Sequence, residues 1–73
     1  MATGQSIREI FGENLRRLRL GRGLSQLALA SQVDMAHNFI NDIEHGRKWV
    51  SPETIAKLAE ALEAEPYCFF ISH

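Results

Sequence analysis

The chain has 73 residues, 45% hydrophobic and 23% charged, with a net charge of −1; this balance fits one small folded domain and excludes a disordered chain. A single cysteine, Cys68, excludes an internal disulfide, and with His37, His45 and His73 it forms no clustered metal-ligand spacing, so no metal or cofactor is expected. No apolar run is long enough to span a bilayer and "MATGQSIREIF" lacks the pattern of a secretion signal, so a reducing, cytoplasmic setting away from membranes is expected.

Ser6 with Glu9 three residues later reads as a capping box. The apolar positions Ile7, Ile10, Phe11, Leu15 and Leu18 follow at helical spacing and predict a first helix over about Ile7 to Leu20, ended by Gly21 and Gly23. Ser25 caps a short second helix, about Gln26 to Gln32, with Leu29, Ala30 and Val33 on one side. Two turns of helix cannot stand alone, so this segment must pack on its neighbours.

After Asp34, a residue that tolerates turn conformations, the pattern restarts with Ala36, Ile40 and Ile43 on one side of a third helix that Gly46 stops. Asn38, Asn41, Asp42 and His45 fall in the opposite arc, with His37 and Phe39 on its flanks. Ser51 and Pro52 open a fourth helix, Pro52 to Glu63, whose Ile55, Leu58, Ala59 and Leu62 are spaced i, i+3, i+4, i+7. Pro66 opens a final turn or short helix through Tyr67, Phe69, Phe70 and Ile71. No strand pattern is present, so the expected fold is an all-α, compact five-helix domain spanning 1–73, with two short helices joined by a tight turn over about 25–46.

In that arrangement the second short helix is raised on the first and can enter the major groove of DNA, about 12 Å wide. Charge is distributed accordingly. Residues 1–50 carry seven Arg and Lys against five Asp and Glu, whereas residues 51–73 carry Lys57 alone against Glu53, Glu60, Glu63 and Glu65.

The segments "LRRLR..RGLSQ" (Leu15 to Gln26), Leu29-Ala30, "FINDIEHGRK" (Phe39 to Lys48), "SPETIAKLAEAL" (Ser51 to Leu62) and Phe69-Phe70 together resemble the lambda-repressor and Cro-like helix-turn-helix domains of the xenobiotic-response-element class, which include restriction-modification controller proteins. The resemblance implies a sequence-specific regulator that binds double-stranded DNA as a homodimer on a palindromic operator. It places Gln26 on a backbone phosphate, His37, Asn38, Phe39, Asn41 and Asp42 on the recognition helix, and Arg47 and Lys48 along the phosphates. It makes Arg19 and Glu44 a structural ion pair tying the first helix to the third, and puts the dimer contact at the C-terminal end. Leu62, Phe69, Phe70 and Ile71 are the candidates there, and since the adjacent Phe69 and Phe70 cannot both point inward, one closes the core and the other is available to a partner. Three features depart from the family pattern: Asp34 replaces a turn glycine, Ala36 replaces a Ser or Thr cap, and the recognition helix has no Arg or Lys. The alternative function is a protein-interaction module on the same scaffold. An enzyme is not expected, because Ser25, Cys68 and the histidines form no nucleophile-base constellation.

Overall fold

The computed structural model describes residues 3–72. They form four α-helices, α1 (Gly4–Gly21), α2 (Gln26–Val33), α3 (His37–Glu44) and α4 (Pro52–Leu62), followed by a 3₁₀ helix over Pro66–Phe70. The domain therefore has four α-helices where five were expected. In the fifth place, Pro66 starts a segment of five residues, too short to build an α-helical ladder, and it closes as a 3₁₀ turn.

Local chemistry explains most of the boundaries. Ser25 and Ser51 accept hydrogen bonds from the N–H groups of Ala28 and Thr54, capping α2 and α4 as their sequences indicate. At α1 the cap is Thr3, whose side chain accepts from the Ser6 N–H, so the helix begins a turn before the expected Ser6–Glu9 box. Asp34 ends α2 in the left-handed conformation (φ 55°, ψ 49°), and the Met35 N–H then donates to the Ala30 carbonyl at 2.9 Å. Glu63 ends α4 in the same way, with the Ala64 N–H donating to Ala59. Ala36 precedes α3 without a side-chain cap, so this helix relies on tertiary packing for its entry.

The apolar stripes meet in one core of Phe11, Leu15, Leu29, Ala30, Val33, Ile40, Ile43, Val50, Leu58, Ala59, Leu62 and Phe69. Phe11 stacks on Phe69 with ring centroids 4.7 Å apart, which fastens the C-terminal turn to α1. Asn14 lies on the same buried face and donates to the carbonyls of Phe69 at 2.9 Å and Ile71 at 2.7 Å. Its position, three residues after Phe11 and one before Leu15, was the sequence signal for a buried amide. Gly12 faces α3: a Cβ there would run into the main-chain oxygens of Ile43 and Glu44, so its lack of a side chain lets the two helices touch backbone to backbone. Among the described residues, no helix is long and apolar enough to cross a membrane.

Candidate nucleic-acid interface

The site is built around one buried ion pair. The Arg19 Nε donates to Glu44 Oε2 at 2.6 Å and its Nη2 donates to Glu44 Oε1 at 3.0 Å, so α1 grips α3 through a two-pronged fork. The Arg19 Nη1 donates to the Leu24 carbonyl at 2.7 Å and so also holds the loop leading into α2. The side chains are 8% and 1% exposed, which places the pair inside the protein. Water therefore screens it little, and its geometry fixes how α3 sits on α1.

Gln26, the first residue of α2, extends this network toward the surface. Its Nε2 donates to Glu44 Oε1 at 3.0 Å and to Asn41 Oδ1 at 3.1 Å, while its Oε1 lies 3.1 Å from His37 Nε2. An amide nitrogen carries two hydrogens, and both are engaged within the protein. Residue spacing gave no sign of this tie, because Gln26 lies 15 residues from Asn41 and 18 from Glu44 and only the packing of α2 on α3 joins them.

The remaining expected residues fall into three surroundings. His37 and Asn38 are exposed at the start of α3. Phe39 is half-buried and packs against the core, and Asn41 and Asp42 are half-buried farther along the helix. Arg47 and Lys48 are exposed in the segment after α3, and the Arg47 Nε donates to Asp42 Oδ1 at 3.1 Å. Asp42 thus has a counter-charge beside it. The turn that follows α3 reaches Gly46, in the left-handed region at φ 72° and tucked against Glu9 of α1, with the Arg47 N–H returning to the Asp42 carbonyl at 2.8 Å.

A buried polar fork thus seats a short helix whose first two residues are exposed and polar, behind a tight turn from an equally short helix. The family model described as a helix-turn-helix domain matches residues 10–66, a span that contains α2, the turn and α3. This chain belongs to the helix-turn-helix family. It is 39% identical over 62 residues to the control protein C.BamHI of Bacillus amyloliquefaciens, covering 84% of this chain and 76% of that one. It is 47% identical over 60 residues to the transcriptional repressor RghR of Bacillus subtilis, covering 81% of this chain but 44% of the repressor. The solved restriction-modification controller protein C.AhdI of Aeromonas hydrophila superposes with a TM-score of 0.82 at 40% identity, over 86% of this chain and 96% of that one. The chain is accordingly a DNA-binding regulator of transcription.

At the C-terminal end, Leu62 and Phe69 of the four residues expected at a dimer contact are buried in the core. Neighbouring side chains on the 3₁₀ turn diverge: Phe69 fills the space beneath Phe11, and Phe70 turns outward at 44% exposure beside Ile71 at 41%. Trp49, also exposed, meets the edge of Phe11 at 5.3 Å and lies 6.4 Å from Phe70, so an apolar surface runs from Trp49 through Phe70. Leu27 remains exposed at 65%.

Proposed function

We infer that the protein acts as a homodimer on a two-fold symmetric operator, each α3 entering one major groove of the duplex. The observation that carries this reading is the seated but projecting start of α3, where exposed His37 and Asn38 stand on a helix locked from behind by Arg19 and Glu44. A reading helix gains by such rigidity, because the entropy of positioning its side chains is spent in folding instead of in binding. Asn38 reads an adenine edge through its amide, and Asp42, with Arg47 beside it, accepts from a cytosine amino group. Phe39 leaves only its outer edge for a sugar or a thymine methyl. Arg47 and Lys48 follow the phosphates, and Gln26 contributes its main-chain N–H at the first turn of α2 while its side chain stays in the protein network.

One short recognition helix without Arg or Lys reads few base pairs and attracts phosphate weakly. Two copies on one duplex add their contacts, with the helices about 34–36 Å apart along the groove face. Trp49, Phe70 and Ile71 supply the self-complementary apolar patch of a two-fold contact. The function is regulatory, with no catalytic step, and belongs in the cytoplasm. Titration against random duplex DNA at two salt concentrations tests the DNA-binding part: affinity falls steeply with salt if phosphates are contacted. A salt-independent interaction would reject it in favour of a protein-binding module.

A further inference from the structure

Glu44 is an ionised side chain held by Arg19, and a carboxylate accepts hydrogen bonds but cannot donate them. The end of the Gln26 amide that meets Glu44 must therefore be the NH₂ group, which turns its oxygen toward His37. That oxygen has only lone pairs, so the His37 Nε2 must carry a proton and donate it. A neutral imidazole holds one proton, and with Nε2 protonated its other nitrogen, Nδ1, is a bare acceptor. Asn41 obeys the same constraint. Its oxygen takes the second hydrogen of the Gln26 amide, and its own NH₂ is left for other partners.

We propose that His37 is a specificity-determining residue that reads an exocyclic amino group, adenine N6 or cytosine N4, and that Gln26 is the positioning residue that imposes this choice. The inference rests on α3 reading the major groove, as proposed above. The chain of orientation runs from a buried charge outward: Arg19 fixes Glu44, Glu44 turns Gln26, and Gln26 sets the tautomer and ring direction of exposed His37. In the major groove, adenine and cytosine each offer an amino donor, whereas guanine N7 and O6 and thymine O4 only accept. Every base pair presents one such amino group in the major groove, so an imidazole showing Nδ1 as acceptor selects the pairs whose amino group lies within its reach over those that put N7, O6 or O4 there. Without the Gln26 oxygen, both tautomers become available and the discrimination is lost.

The test is selection from a random duplex library at about pH 8, above the ordinary imidazole range, using the full chain and the variants His37→Ala, Gln26→Leu and Gln26→Met. The operator position that loses its preference in His37→Ala is the one His37 reads. The expected result is relaxation at the same position, and not at the others, in both Gln26 variants, and a loss of affinity by the parent chain, but not by His37→Ala, when purine replaces the adenine or pyrimidin-2-one replaces the cytosine of that pair, which deletes only the amino group. A merely structural role for Gln26 would weaken every position together. Equal affinity of the parent chain for the intact pair and the amino-deleted pair overturns the proposal, as does His37→Ala leaving every position unchanged or Gln26→Leu and Gln26→Met retaining the preference. Each of those results leaves the operator-binding function standing. Failure to enrich any sequence rejects that function as well.

Discussion

At the scale of single residues, the buried fork between Arg19 and Glu44 gives the sharpest stability prediction. Glu44→Ala strands a guanidinium that is 8% exposed, and removes an acceptor from Gln26 at the same time. Loss of one partner of a buried pair costs about 3–5 kcal/mol, so chemical denaturation of Glu44→Ala should show a large drop in midpoint. A midpoint equal to that of the parent chain would mean that the pair adds nothing to stability. Asn38 and Arg47 separate two kinds of DNA contact. Asn38→Ala should cost about 1–3 kcal/mol on the selected operator and relax one position per half-site. Arg47→Ala should instead weaken all sequences alike and lower the salt slope, read by fluorescence anisotropy. Equal losses on operator and random DNA for Asn38→Ala would exclude base reading by its amide.

At the scale of elements, the relation of α1 to α3 depends on two contacts of opposite character: a charged fork at Arg19 and backbone contact at Gly12. Gly12→Ala brings a methyl to 2.6 Å from the Glu44 main-chain oxygen, and the rigid backbone of α3 must move to admit it. Overpacking of this kind costs about 1–3 kcal/mol, more than the roughly 1 kcal/mol by which alanine outperforms glycine within a helix. Gly21, at the end of the same helix, has nothing within 4 Å of an added Cβ. Gly21→Ala should therefore raise the melting temperature slightly, while Gly12→Ala lowers it and also reduces operator affinity, because α3 is displaced. Calorimetry of the pair of variants checks this sign reversal. Two shifts of the same sign would show that helix propensity, not packing, governs these positions.

At the scale of the whole molecule, the proposed dimer rests on the apolar surface of Trp49, Phe70 and Ile71. Burying it against a second copy would remove apolar area worth about 25 cal/mol per Å² from water, partly offset by the entropy of association. Ile71→Glu places a charge next to its own image across a two-fold axis without disturbing the core, since Ile71 is 41% exposed. Sedimentation with a palindromic operator should find two protein chains per duplex for the parent and a strongly weakened second binding step for Ile71→Glu. One chain per duplex for the parent protein would reject the dimer. Phe69 is unsuited to this test because its ring is part of the core.

The sequence by itself determined the helical periods, the serine caps of α2 and α4, the punctuation at Asp34 and Gly46, and most of the core. Each of these is a local effect in which a side chain acts on its own turn of backbone or repeats at the helical spacing. It also carried the fork of Arg19 and Glu44, through the resemblance of its motifs. Tertiary structure alone decided how Gln26 faces Asn41, Glu44 and His37, because those hydrogen bonds join two helices whose relative placement no periodicity specifies. It likewise decided which of Phe69 and Phe70 enters the core. Both are equally apolar in sequence and both rings lie against Phe11, but Phe69 stacks on it and is fully buried, whereas Phe70 lies tilted to it and stays exposed.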